Sequence, residues 1–278
     1  GAVIVPVVQV SVQDAQGNTM TIPNVSITLA ITNATGAPVA TPGVTLTQAA
    51  VNGVATFGDL SMAKVGTGYT LTATATNLAS ATSTAFDVTP GAASKLAFTV
   101  QPSAAVAGAA IDPAVQVTIQ DAQGNTVTSA TTSVTLAITT ATGTSWAVPG
   151  GTAAVAGVAT FTDLSLDRAG AGFSLTAAAP RLTSATSIAF DVSPGAASEL
   201  AFASQPSAVV AGAAIDPAVQ VTVQDAHGNT VSSTTRITLT GTTATGASGP
   251  VLGGTAAVAA VAGVATFANL TVAKAGTG

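Results

Sequence analysis

The sequence predicts an all-β fold built as antiparallel β-sandwiches in tandem, and three observations predict it. One is internal repetition. Gln13-Asp14-Ala15-Gln16-Gly17-Asn18-Thr19 returns at 120–126, and at 224–230 with His227 in place of a glutamine. Gly53-Val54-Ala55-Thr56-Phe57 returns at 157–161 and 263–267, and Phe86-Asp87-Val88-Thr89-Pro90-Gly91-Ala92-Ala93-Ser94 returns at 190–198 with Ser193 for Thr89. The second is the spacing: the copies lie about a hundred residues apart, long enough for each to hold its own core, unlike the short units of a solenoid. The third is a period of two in the apolar residues, with no sustained helical period.

The middle copy is complete and carries the element-by-element case. Leu96, Phe98 and Val100 alternate with Ala97 and Thr99, and Val115, Val117 and Ile119 alternate with Gln116, Thr118 and Gln120. Val134, Leu136 and Ile138 follow, then Ala159 and Phe161, then Phe173 and Leu175, then Ile188, Phe190 and Val192. Apolar positions that alternate with polar ones describe half-buried antiparallel strands. Clusters of Gly, Pro, Asn and Asp separate them. About seven short strands in a hundred residues describe an Ig-like sandwich, so the expected fold class is all-β, with tandem Ig-like antiparallel β-sandwich modules. Phe98, Val117, Leu136, Phe161, Leu175 and Phe190 are the expected core of the middle copy.

The expected domains are residues 1–90, without a counterpart of the first strand; residues 91–194, complete; and residues 195–278, without counterparts of the last strands. From this the 278 residues read as a window on a longer array or a repeating fibre unit. The partners expected are copies of itself or the covalent continuation of the same array, which would complete the edges beside residues 8–12 and 265–270. The linkers, residues 89–94 and 193–198, are six residues long and each holds a Pro-Gly. Short, proline-stiffened linkers predict an extended, semi-rigid arrangement.

The pattern Asp-Ala-x-Gly-Asn-Thr, then Val-Thr-Leu-Ala, then Gly-Val-Ala-Thr-Phe, then a Gly-rich stretch before a Phe or Tyr strand, resembles the bacterial Ig-like repeats of invasin and intimin type. The resemblance covers essentially the whole chain. It is specific for the type of module and weak for any ligand. It implies stalks, spacers and filaments at the cell surface, in large surface adhesins and fibres, and hence an extracellular or cell-surface location.

Composition narrows the function classes. Only 6% of residues are charged, against about 25% in an average globular protein. The chain is nonetheless apolar through small side chains, and no stretch reaches the roughly 20 apolar residues of a spanning helix. Six Lys and Arg against eleven acids argue against nucleic acid and anionic membranes, which both attract basic patches. There is no cysteine, which removes disulfides, thiolate chemistry and Cys-type zinc sites.

Catalysis finds little to work with, and the expectation is no enzyme, no catalytic residue and no cofactor. A serine nucleophile needs a base, and the single histidine, His227, stands where the other copies have Gln16 and Gln123. His227 therefore reads as an exposed turn residue. Glycosidase chemistry needs paired carboxylates, while the one glutamate is Glu199. Asp14, Asp121 and Asp225 recur, and read first as Asx-type turns. The sharper reading is calcium, which takes loop carboxylates and carbonyls. Its candidates are Asp121, Asp191 and Asp216, brought together across a junction; Val5 replaces the third of these in the first copy.

Two functions from different classes remain. One is a structural array forming a stalk, fibre or filament, with self-assembly through a surface that charge does little to keep apart. The alternative is an adhesin or carbohydrate-binding module that recognises a receptor or glycan through sandwich-end loops. For that reading the loops that differ between copies matter, residues 37–43, 143–150 and 246–253, with Trp146 as the candidate ligand contact.

Overall fold

The computed structural model describes residues 3–21, 25–32, 46–139, 145–242 and 251–273. Among these there is no helix, and so none long and apolar enough to cross a membrane. The protein is all-β, and its strands pair antiparallel apart from one two-residue parallel pair.

The middle copy is a sandwich of two sheets. In one, Val115–Gln120 lies between Val158–Phe161 and Lys95–Val100. In the other the order is Ser145–Ala153, Ser133–Thr139, Gly170–Ala178, Phe190–Ser193 and Ala105–Val106, with Ala185–Thr186 also beside Gly170–Ala178. The chain thus leaves the first sheet after Val100 and joins the second at Ala105. Between the sheets sits one cluster that includes Leu96, Val117, Leu136, Phe161, Leu175 and Phe190. The first and third copies have separate clusters, around Leu29, Phe57 and Tyr69 and around Val221, Phe267 and Leu270. Period two is the cause: Val134, Leu136 and Ile138 are buried while Ser133 and Thr135 are exposed. Burying each large apolar side chain contributes about 1.5–3 kcal/mol.

The recurring Gly-Val-Ala-Thr-Phe is a hairpin entering a strand. Gly53, Gly157 and Gly263 have φ of 81°, 77° and 84°. A Cβ on any of them would run into the carbonyl oxygen of Met20, Val127 or Val231 respectively, so both conformation and space require glycine. The Ala and Phe that follow point inward: Ala55, Ala159 and Ala265 are fully buried, and Phe57, Phe161 and Phe267 nearly so.

One inward assignment of the middle copy needs correction. Ile188 is 59% exposed. The preceding Ser187 occupies the ladder instead: its N–H donates to the Leu175 carbonyl and its Oγ accepts from the Leu175 N–H. This carries the chain outward, and alternation resumes only at Phe190. Phe98 is inward, partly buried and packed against the middle cluster, beside a register shift between Gln116 and Val117. In the third copy Leu200 and Phe202 are 58% and 48% exposed. The strands that flank Leu96 and Phe98 from the opposite sheet of the middle copy have no counterpart there among the described residues.

Candidate functional site: a repeated clasp between copies

The side chains that the repeats share most closely do not gather into a catalytic cleft. They meet where one copy joins the next. Val115–Gln120 runs into Asp121-Ala122-Gln123-Gly124-Asn125, a tight turn with Gly124 at φ 88°. The Asp121 Oδ1 accepts from the backbone N–H of Gln123 at 3.0 Å and of Asn125 at 2.9 Å. The Asn125 Nδ2 donates to Asp121 Oδ2 at 2.9 Å. This is the local Asx turn that the sequence leads one to expect.

The same pair then reaches outside its copy. The N–H of Gly91, in the linker, donates to Asp121 Oδ2 at 2.9 Å. The Asn125 Nδ2 donates to the carbonyl of Ala63 at 2.8 Å, and the Val65 N–H donates to Asn125 Oδ1 at 3.3 Å. Ala63 and Val65 belong to the first copy. One Asp–Asn pair therefore ties together its own turn, the Pro-Gly linker and a loop of the preceding copy.

The second joint repeats the arrangement atom for atom. The Gly195 N–H donates to Asp225 Oδ2 at 2.7 Å, Asn229 Nδ2 to the Asp167 carbonyl at 2.7 Å, and the Ala169 N–H to Asn229 Oδ1 at 2.8 Å. Asp121 and Asp225 are 2% and 1% exposed. In the first copy the turn is formed in the same way, with Gln16 and Asn18 N–H donating to Asp14 Oδ1 at 2.9 and 2.8 Å. There Asp14 and Asn18 make no hydrogen bond to another copy among the described residues, and Asp14 is only half-buried.

The electrostatics follow from this geometry. Burial pushes the Asp121 carboxyl up, but the Asn125 amide and the N–H groups of Gly91, Asn125 and Gln123 outweigh it and hold the group down at about 2. At Asp225 burial again acts upward and is outweighed by Asn229, Gly195 and His227, leaving the carboxyl well below the ordinary range. Asp14 is lowered chiefly by Asn18. A carboxylate surrounded by N–H donors is stabilised as the anion.

The calcium candidates stand in different settings. Asp121 is the clasp. Asp191 lies exposed on Phe190–Ser193, its Oδ1 accepting from the Gly172 N–H at 2.8 Å, as Asp87 does from Gly68 at 2.9 Å. Asp216 precedes Pro217, and its backbone carbonyl accepts from the Ser207 hydroxyl at 2.9 Å. No group of three or more His, Cys, Asp or Glu suited to a metal ion occurs among the described residues. His227 is partly exposed, as expected of a turn, but its ring lies against Gly108 of the preceding copy and 3.7 Å from Asp167. Trp146 falls within the strand Ser145–Ala153, opposite Ile138, where a loop was expected. Residues 37–43 lie outside the described residues, as do 143–144 and 246–250. Asn269, in a glycosylation-type Asn-Leu-Thr, is tied to Thr255.

Asp121 and Asp225 stand out in the sequence, whereas Asn125, Asn229 and the linker amides as their partners emerge only in the structure. The signal was present: asparagine follows the aspartate by four positions in all three copies, while the middle one of the three residues between them is Gln16, Gln123 or His227.

No protein-family model matches the chain, and no curated protein matches it. Similar solved structures include the adhesin FdeC of Escherichia coli, 19% identical, covering 92% of this chain and 81% of that one, with a TM-score of 0.35. InvD of Yersinia pseudotuberculosis is 16% identical over 98% of this chain and 81% of that one, with a TM-score of 0.34. A β-glycosidase from Bacteroides vulgatus is 12% identical over 67% of this chain, with a TM-score of 0.31; the chain spans 24% of that enzyme's length. At such scores the likeness bears on neither ligand nor activity.

Proposed function

We propose that the chain is a run of three Ig-like modules, residues 1–90, 91–194 and 195–278, acting as a semi-rigid structural array of a stalk, fibre or filament at a microbial cell surface. On this reading it has no catalytic role, and its partners are further modules of its own kind. The observation that carries the reading is the clasp between modules, present at both joints with the same donors and acceptors. A short, proline-stiffened linker limits the slack between two domains but does not by itself select one orientation. Here the linker is held near its middle by a buried carboxylate, and the asparagine beside it grips the preceding module by one donated and one accepted bond. Bonds to an ionised, buried acceptor are stronger than neutral ones, and leaving such donors unpaired is costly. Each joint therefore favours one orientation over many. A force-bearing or spacing element needs that property, and a mobile binding module does not.

Small-angle scattering tests the reading. The expected pair-distance distribution is that of an elongated particle, with a single short peak for the module cross-section and a long tail. A compact, near-spherical distribution at low concentration would refute it.

A further inference from the structure

The two joints share their clasp but not their charges. At the first, the buried Asp121 is accompanied by Lys64 in the preceding loop and by Lys95 after the linker, whose Nζ donates to the Ala122 carbonyl at 3.3 Å. By the internal alignment, Asp167 stands at the second joint where Ala63 does, Arg168 where Lys64 does, Glu199 where Lys95 does and His227 where Gln123 does. Glu199 keeps the register of Lys95: it lies opposite Gln224, as Lys95 lies opposite Gln120. Where the first joint has two cations and one acid at these places, the second has one cation, three acids and a histidine.

That histidine is aimed across the joint. The His227 N–H donates to Asp225 Oδ1 at 2.9 Å, which fixes the backbone from which the ring projects. The ring lies on Gly108 of the middle module, so closely that a Cβ there would run into it. The Gly108 N–H donates to the Leu166 carbonyl at 2.9 Å, which holds this floor beside Asp167. His227 Nε2 is 3.7 Å from Asp167 Oδ1. That is too long for a hydrogen bond and within the reach of an ion pair. Arg168 lines the same cleft. The charged groups around the ring are therefore Asp167 and Arg168 from the preceding module and Asp225 and Glu199 from its own, while Gly108 brings none. Three carboxylates attract a charge on the ring and Arg168 repels it, as Lys64 would in the same place.

We propose that the second joint is a proton-operated lock: protonation of His227 forms an ion pair with Asp167 across the joint and adds to the clasp, while the first joint does not respond to pH in the same range. Histidine is the side chain whose charge ordinarily changes between about pH 5 and pH 8, and carboxylates stay ionised down to about pH 4. The pair therefore exists in mild acid and is lost as the ring gives up its proton. Gln123 and Ala63 hold no such charge. The side chains of His227 and Asp167 are 37% and 75% exposed, so the pair is a small increment that biases a joint the clasp already forms. The inference rests on the clasp of the proposed function and adds that one of its two joints stiffens in acid.

The single histidine makes the test direct. By nuclear magnetic resonance of the full chain, the imidazole signals of His227 and the amide signal of Gly108, which belongs to the other module, should move along one curve between about pH 8 and about pH 5. His227→Gln, which copies the first joint, should remove the movement at Gly108. Spin labels at Thr162→Cys and Ala268→Cys, exposed positions on either side of the second joint, report its stiffness, with Asn229→Ala added so that the clasp does not mask the increment. The ratio of narrow to broad component should rise about two- to fivefold from the alkaline to the acid end. Asp167→Ala should abolish that rise, and Ala63→Asp with Gln123→His should install it at the first joint in a chain carrying Asn125→Ala. A Gly108 amide indifferent to the imidazole titration, or a ratio that ignores pH or follows it equally after Asp167→Ala, would overturn the proposal. A rod whose second joint ignores pH would keep the proposed function and lose this inference. A broad distribution in the chain with its clasp intact that still narrows in acid would contradict the proposed function and support the lock.

Discussion

Asp14, Asp121 and Asp225 are one residue in three settings. The turn around each is the same, so the turn does not explain why Asp121 and Asp225 are buried and Asp14 is not. What differs is whether a linker amide and a preceding loop lie over the carboxylate. The consequence for pH has a definite sign. The folded Asp121 carboxyl sits at about 2, below its ordinary value of 3.8, so the folded state holds this proton less readily than the unfolded chain does. Its contribution to stability is complete above about pH 4 and is lost as pH falls through the folded value near 2. Thermal unfolding of the parent and of Asp121→Asn should therefore differ by a constant amount from pH 7 to pH 5 and converge in stronger acid. Convergence already between pH 7 and pH 5 would contradict this. Within the core, Phe161 is 8% exposed and opposite Val115. Phe161→Ala should cost about 3–5 kcal/mol, measured as a lowered denaturant midpoint; an unchanged midpoint would contradict the assigned register.

At the scale of elements, most strands were legible because period two reports which face is buried, and turn chemistry reports where a strand stops. Ile188 shows the limit. Alternation placed it inward, but the Ser187 hydroxyl takes a ladder position and displaces it. Periodicity carries no information about a side chain that substitutes for backbone. The hairpins before Val54, Val158 and Val264 show another. Asn52, Ala156 and Ala262 share φ values of 49°, 50° and 49°. Both residues carry a Cβ that disfavours this left-handed conformation, but the short polar side chain of asparagine offsets the cost by local hydrogen bonding and alanine has no such group. Ala156→Asn, which copies the first module, should stabilise the middle module by about 0.5–1 kcal/mol. Equilibrium unfolding would register the gain; a loss of stability would show that Ala156 is held by something other than the hairpin.

For the whole molecule, the sequence carried the number of copies, the fold class and the short linkers, but not what fixes one copy against the next. The clasp spans 60 residues, from Val65 to Asn125 and from Ala169 to Asn229, and its partners in the preceding copy are backbone groups. A backbone carbonyl or N–H leaves no mark in a sequence, so Ala63 and Asp167 accept the same bond although their side chains differ. Asn125 and Asn229 were legible only as turn residues. On the proposed function these bonds, rather than linker length, hold the modules in one orientation.

The absence of cysteine makes the direct measurement simple. Spin labels at Gln9→Cys and Thr162→Cys, both exposed positions on either side of the first joint, report the inter-module distance distribution by pulsed electron resonance. The expected result is a narrow distribution in the otherwise unaltered chain, and a clearly broader one when Asp121→Ala and Asn125→Ala are added with both modules still folded. A broad distribution in the unaltered chain, or one equally narrow after the clasp is removed, would contradict it.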